Sequence, residues 1–148
     1  MGSRRRCSRA AALTIAALGV GGPLGAHGAS VEGQVRDVLS AYAAGKFPER
    51  GAELRDESGW QLALPSGRSV SRAFLQAQAG PLIALGPAAV EPLIAWVGSA
   101  TDPASRYVAI YALERLTGRR PPISHTSPPD ADTLARAAAE WRAGARGP

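Results

Sequence analysis

The sequence contains no asparagine, a single lysine beside 16 arginines, and one cysteine in 148 residues. Without asparagine the chain has no acceptor for N-linked glycosylation. A single cysteine excludes an internal disulfide framework. No apolar run is long enough for a multi-span membrane protein, and a hydrophobic fraction of 45% is too high for a disordered chain. The length is that of one globular domain.

The positive charge of the chain is concentrated at its N-terminus. The formal net charge is +5, but Arg4, Arg5, Arg6 and Arg9 lie within the first ten residues. Residues 29–148 contain 13 basic and 12 acidic residues, so their net charge is only +1. A body this close to neutral lacks the positive surface that nucleic acid requires, and we predict no nucleic-acid partner.

Residues 1–28 have the three regions of a secretory signal peptide. A basic stretch precedes the apolar residues 10–20, after which glycine and proline interrupt any helix. The small residues Ala26 and Gly28 then predict cleavage before Ala29. We therefore expect an exported protein, periplasmic or extracellular, with no stable membrane span after cleavage. The alternative is an uncleaved leader that anchors the protein to the envelope.

Apolar residues at helical spacing predict five helices in residues 29–148. Serine, threonine, aspartate and asparagine favour helix starts, and glycine favours helix ends. The predicted helices are Val31–Gly45, about Val70–Ala79, a third that begins at Pro87, a fourth from Asp102 to Gly118, and Ala131–Ala143. The predicted N-caps are Ser30 for the first helix, Ser69 or Ser71 for the second, Asp102 for the fourth, and Asp130 or Asp132 for the last.

Three residues carry more specific helix predictions. Pro92 lies inside the apolar pattern of the third helix and should kink it, because proline removes one backbone hydrogen bond. Asp102 and Arg106 are four residues apart, so we expect an ion pair on the first turn of the fourth helix. Gly144 is expected to end the last helix.

Two segments interrupt the helical pattern. Residues 46–70 form an irregular insert, within which the alternation from Trp60 to Leu64 is typical of a strand. Ala52–Arg55 is the predicted partner strand of a small hairpin within 52–64, and a structured loop is the alternative. Residues 119–130 form a proline-rich loop.

Residues 85–94 contain the most distinctive motif of the chain, LGPAAVEPLI. Asp102 and Arg106 follow, and an Ala-Leu pair and Leu116 come later in the same helix. This pattern over 82–118 resembles a HEAT-like repeat of the phycobilisome-lyase type, whose first helix opens with L-G-P-x-A-V-x-P-L-[LI]. The pair is Ala112-Leu113, and Ser105 stands where the family usually has valine.

The resemblance implies a mainly all-α domain over residues 29–148, built as a short antiparallel helical-repeat stack. The first helix and the hairpin would close one end of the stack, and the last helix would close the other. Such repeats are mainly scaffolds for binding, so the resemblance implies a protein partner and carries little information about chemistry.

No catalytic constellation emerges from the sequence. The mature chain has one histidine, His125, which we interpret as a solvated turn residue, because a catalytic triad also needs a nucleophile and an orienting acid placed around the histidine. Glu53, Asp56 and Glu57 lack the spacing of a calcium loop and are interpreted as solvated. We therefore predict no catalytic residues, no metal and no cofactor. An enzyme that combines the acidic loop 53–57 with His125 is the alternative.

Candidate partner-binding residues lie on the two helices of the best repeat. Tyr107 and Tyr111 share a helix face. Tyr107 lies off the predicted inner stripe of the fourth helix, so it is a candidate exposed anchor together with Trp96. That stripe is Ala109, Ala112, Leu113 and Leu116. The alternative is that these aromatic side chains pack in the core. Arg115 and Arg119, with Arg120 beside them in sequence, form a basic cluster that is either an anion site or a complement to the helix dipole.

The favoured hypothesis from sequence is an exported, non-catalytic module that binds another protein. An enzyme or enzyme subunit and an envelope-anchored structural protein remain open beside it.

Overall fold

The computed structural model of the protein describes residues 29–48 and 58–147. The predicted leader 1–28, with Cys7 and His27, lies outside these ranges, as do the predicted strand Ala52–Arg55 and the acidic residues of 53–57. Within the described ranges the fold is mainly helical and has one small two-stranded antiparallel sheet, which confirms the predicted fold class at this level.

Helices account for most of the residues that the structure describes. The α-helices are α1 (Val31–Ala43), α2 (Arg72–Ala77), α3 (Gly80–Ile83), α4 (Val90–Ser99), α5 (Pro103–Thr117) and α6 (Ala131–Ala145). A 3₁₀ helix (Gly86–Ala89) precedes α4, and the strands are β1 (Gln61–Ala63) and β2 (Ser69–Ser71).

Four helices begin at the side-chain caps that the sequence predicts. Ser30, Ser71, Asp102 and Asp130 each accept a hydrogen bond from the backbone N–H three residues onward, at 2.6–3.1 Å. These bonds satisfy N–H groups that have no partner inside the helix. At the other end of α5, Gly118 adopts a left-handed conformation with φ of 66°, as a glycine that ends a helix commonly does.

The hairpin lies later in the chain than the sequence predicts. β1 pairs with β2, with Leu62 opposite Val70, and the chain reverses through the turn that includes Gly67 at φ 79°. Val70 was expected to begin a helix, which is wrong, because the backbone stays extended until Ser71 caps α2.

Pro92 lies in the first turn of a helix instead of kinking one in its interior. The 3₁₀ helix ends at Ala89, so Pro92 is the third residue of α4. The first N–H groups of a helix have no intrahelical acceptor, and proline therefore costs no hydrogen bond there. The sharp change of direction comes earlier, since segments 72–83 and 86–99 cross at 110°.

Gly144 does not end the last helix, because α6 continues to Ala145. Its missing side chain permits close helix packing. A Cβ atom at this position would collide with the Thr117 carbonyl oxygen and would lie 2.7 Å from Cγ of Arg119. The glycine is therefore explained by the contact between α5 and α6.

The central element of the core is α5, which contacts α1, α2, α3, α4 and α6. Residues 104–110 are all buried, so this helix is covered on more than one side. Of the predicted inner stripe, Ala109, Ala112 and Leu113 are fully buried, whereas Leu116 is only partly buried. A helix enclosed by its neighbours needs no narrow apolar stripe.

Helix α6 is docked by one buried ring and one ion pair. Trp141 is fully buried in the core. The Arg142 guanidinium donates from Nε and Nη2 to the two carboxylate oxygens of Glu91 on α4, at 2.7 and 2.9 Å. This bidentate contact lowers the pKa of the Glu91 carboxyl.

No single helix in residues 29–48 or 58–147 combines the length and apolarity of a membrane span. The bent pair formed by 72–83 and 86–99 meets that criterion by length and composition alone.

The Asp130 cap predicts a pH dependence of stability. Hydrogen bonds from the backbone N–H and hydroxyl of Thr133 lower the pKa of the Asp130 carboxyl. A group with a lowered folded pKa stabilises the fold above its unfolded pKa and loses that contribution as pH falls through the folded pKa. In Asp130→Asn the cap acceptor remains but does not titrate. Urea unfolding at pH 5 and pH 2.5 should therefore show a smaller loss of stability for the variant than for the parent, and an equal loss would contradict this role.

Candidate functional site

A cleft of about 470 Å³ lies between α2, α5 and the loop that connects α5 to α6. We call it the aromatic cleft. Its volume is within the range of ligand pockets, about 300–1,000 Å³. The lining residues are Trp60, Arg72, Gln76, Tyr107, Tyr111, Glu114, Arg120, His125 and Thr126.

Helix α5 supplies the floor of the aromatic cleft. Tyr107, Tyr111 and Glu114 are spaced at i, i+4 and i+7, which places them on one helix face. Tyr107 is 6% exposed, and the Glu114 side chain is 10% exposed. Tyr111 is half-buried. The floor of the cleft is thus built on the most enclosed helix of the fold.

His125 is held against this floor by two contacts. Its Nε2 atom lies 3.2 Å from Oε1 of Glu114, and its ring centroid lies 4.9 Å from that of Tyr107. The His125 side chain is 28% exposed. The expectation that His125 is solvated is therefore wrong, because its ring packs against α5. The carboxylate beside it belongs to Glu114, which comes close only because the loop folds back onto α5.

Buried Arg106 anchors this loop. Its guanidinium donates a hydrogen bond of 2.9 Å to the carbonyl of Thr126, the residue after His125, and another to the carbonyl of Ala100. The ion pair predicted with Asp102 does not form, because the Asp102 carboxylate accepts the N–H of Ser105. Burial lowers the pKa of Arg106, and the nearby Asp102 charge opposes that shift.

Tyr107 is fixed by its neighbours across the cleft. Its ring centroid lies 5.5 Å from that of Trp60, and its hydroxyl accepts a hydrogen bond of 3.4 Å from Nε2 of Gln76. Burial raises the pKa of Tyr107, and the charge of Glu114 adds to this, whereas the Gln76 hydrogen bond and the Arg72 charge oppose it.

Two arginines flank the opening. The Arg72 guanidinium carbon lies 5.5 Å from the Trp60 ring centroid, within range of a cation–π interaction. Arg120 is 74% exposed, and its Nε atom lies 3.9 Å from Oε2 of Glu114. Glu114 therefore faces both His125 and Arg120.

The structure brings together only part of the predicted site. Tyr107 and Tyr111 both line the aromatic cleft, but the expectation that Tyr107 is exposed is wrong, because α5 is buried on several sides. Trp96 lies elsewhere, with its indole N–H donating to the Ser105 hydroxyl at 3.2 Å. Arg115 and Arg119 are exposed and do not line this cleft, whereas the neighbouring Arg120 does.

The sequence does not point to five of the lining residues: Trp60, Arg72, Gln76, Glu114 and Thr126. The spacing of Tyr107, Tyr111 and Glu114 on one helix face is a signal that was available in the sequence. The other four come from segments outside α5, and no local pattern relates them to it.

Within the part of the chain that the structure describes, no three His, Cys, Asp or Glu side chains converge as metal ligands would. Comparison of the chain with protein-family models, curated proteins and solved structures finds no match.

Proposed function

We propose that the protein is an exported, non-catalytic helical module that binds another protein through the aromatic cleft. The single observation that carries this proposal is the combination of a fixed aromatic floor at Tyr107 with half-buried rings at Trp60 and Tyr111. Binding hot spots are enriched in tryptophan, tyrosine and arginine that pack around a pocket. Rings held by the core also lose little entropy when a partner binds.

The proposed HEAT-like character rests on the helical pair α4–α5. These two helices pack together and are joined by only three residues, 100–102. Asp102 caps the second helix, and Arg106 lies in its first turn, where the resemblance places them. The contacts of α5 with five other helices suit a short unit closed at both ends.

Export is proposed from residues 1–28 alone. Their basic start, short apolar stretch and small residues at the expected cleavage site are the features of a signal peptide. Mass spectrometry of the tagged full chain, purified from a bacterial host, should give the mass of a chain that begins at Ala29. The mass of a chain that still contains residues 1–28 would favour the envelope-anchored alternative.

Affinity capture with in vivo cross-linking tests the binding function. The tagged full chain and the Trp60→Ala/Tyr111→Ala variant are expressed in parallel, with Trp96→Ala as the matched control outside the cleft. The expected result is a partner that the parent and Trp96→Ala capture equally and that the double variant loses. The purified partner must then bind the parent directly. Equal capture by all three proteins would contradict a role for the aromatic cleft.

An enzyme is the second candidate, and the contact between His125 and Glu114 favours it. A carboxylate beside an imidazole fixes the tautomer and orientation of a general base. The candidate base is His125, and its candidate partner acid is Glu114. The sequence suggests the acidic loop 53–57 as the partner of His125 instead. Turnover of chromogenic ester, glycoside or phosphate-ester substrates that disappears in His125→Gln would support this reading over pure binding.

A further inference from the structure

We propose that the aromatic cleft binds a peptide segment of the partner in which an acidic side chain adjoins an aromatic or proline residue. This inference rests on the proposed binding function and names the chemistry of the bound segment.

The hydrogen bonding of Tyr107 leaves its hydroxyl hydrogen free to donate. The oxygen accepts from Nε2 of Gln76, and among residues 29–48 and 58–147 no acceptor lies within hydrogen-bond reach of the O–H. Because the Tyr107 ring packs against the rings of Trp60 and His125, the position of the hydroxyl oxygen is set before a ligand arrives. The cleft thus presents a positioned donor on its floor.

The Arg120 guanidinium is held only loosely by Glu114. Its Nε atom lies 3.9 Å from Oε2 of Glu114, which is longer than a hydrogen bond. With the side chain 74% exposed, the two terminal nitrogens of the fork can reach a ligand in the opening. A planar fork of this kind matches a carboxylate with two parallel hydrogen bonds.

The carboxylate of the lining is already engaged. Glu114 is 10% exposed and faces both His125 and Arg120. A cationic ligand would therefore meet the Arg120 charge and an acceptor that already has partners. An acidic ligand meets the donors of Tyr107 and Arg120.

The apolar part of the segment is assigned to the rings of Trp60 and Tyr111. Both rings are half-buried and line the aromatic cleft. Aromatic and proline side chains pack on such surfaces, as they do in aromatic-lined peptide grooves.

A peptide array tests the proposal with defined probes. Blocked nine-residue peptides carry a central glutamate or glutamine, flanked in all combinations by phenylalanine, tryptophan, proline or serine. A second set carries phosphoserine at the centre. The protein, expressed from the full chain, should bind the glutamate peptides with about tenfold higher affinity than the glutamine peptides, which is the effect of one charge-assisted contact. This preference should appear only where an apolar flank is present.

Three variants separate the contributions of the residues. Arg120→Gln and Tyr107→Phe are each expected to reduce the preference for glutamate to about twofold. Arg119→Gln removes the same charge from an adjacent exposed residue outside the cleft, so it should keep the full preference. Circular dichroism of each variant checks that the fold is retained, and Tyr107→Phe preserves the ring that packs in the core.

The other outcomes overturn the proposal in distinguishable ways. If glutamine and glutamate peptides bind equally and both lose binding in Trp60→Ala, the cleft is a binding site but the acidic chemistry is wrong. Stronger binding of phosphoserine peptides would replace the carboxylate by a phosphate. If no peptide binds while the partner still requires the cleft, a short linear segment is excluded. If neither peptides nor partner depend on the cleft, the proposed function fails as well.

Discussion

Replacing Arg106 with alanine is expected to lower the free energy of unfolding by about 2–4 kcal/mol. The side chain is fully buried, and its guanidinium holds the carbonyls of Ala100 and Thr126. Hydrogen bonds to a charged group contribute about 1.5–3 kcal/mol each, and the truncation also leaves a cavity. Relief from burying the charge offsets part of this loss. Urea unfolding of both proteins measures the difference.

Two further variants separate charge from volume at this position. Arg106→Met keeps most of the buried volume and should cost less than alanine, about 1–2 kcal/mol, because only the hydrogen bonds are lost. Arg115→Ala removes an exposed arginine from the same helix and should change stability by less than about 0.5 kcal/mol. If Arg106→Ala costs no more than Arg115→Ala, the anchoring role of Arg106 is wrong.

The loop 119–130 should respond most strongly to the Arg106 substitutions. Its attachment depends on the Thr126 carbonyl and on the buried side chains of Pro121 and Ile123. Hydrogen exchange in Arg106→Met should therefore increase in this loop more than in α4 or α6. His125 belongs to the loop, so the same variant should weaken binding at the aromatic cleft without altering any lining residue.

The substitution Gly144→Ala is expected to destabilise the protein by about 2–3 kcal/mol. The added Cβ would collide with the backbone carbonyl of Thr117 and would lie 2.9 Å from Cβ of that residue. Backbone atoms cannot yield as a side chain can, so the cost of overpacking here exceeds the typical range of about 1–3 kcal/mol and reaches about 3–4 kcal/mol. Alanine regains up to about 1 kcal/mol of helix propensity, which the expected value includes.

Gly98→Ala is the matched control for this prediction. This glycine also lies in a helix, but its added Cβ would meet only Cδ2 of Leu134, at 2.8 Å. The end of a leucine side chain can move, so the propensity gain and the contact cost should cancel to within about 1 kcal/mol. Thermal unfolding should place Gly144→Ala well below Gly98→Ala. Equal melting temperatures would show that α5 and α6 separate without cost.

The parts of the fold that follow from the sequence are those set by neighbouring residues. The caps at Ser30, Asp102 and Asp130 depend on an oxygen three residues before an N–H, and the sequence displays that spacing. Apolar periodicity likewise identifies the principal helices. Pro92 and Val70 were misinterpreted, because their roles depend on where a helix starts, and element boundaries are decided by tertiary packing as well as by local pattern.

The aromatic cleft could be predicted only in part, because long-range packing builds it. Tyr107, Tyr111 and Glu114 share a visible helical spacing, whereas His125 reaches Glu114 only after the loop folds back. That fold depends on a buried arginine, and burial of an arginine runs against its usual exposure. Gly144 shows the same limit, since the atoms that require a glycine there belong to another helix.

The indole N–H signals of the three tryptophans test most directly whether the aromatic cleft binds an acidic peptide segment. Trp60 lines the aromatic cleft, Trp96 lies outside it, and Trp141 is buried in the core. Their ¹⁵N–¹H resonances, assigned with tryptophan-to-phenylalanine variants, are followed during titration with matched glutamate and glutamine peptides. We expect the glutamate peptide to shift the Trp60 signal at lower concentration than the glutamine peptide, while the Trp96 and Trp141 signals stay unchanged. A shift of Trp96 with Trp60 unmoved, or no shift of any indole, would contradict binding of an acidic segment in the aromatic cleft.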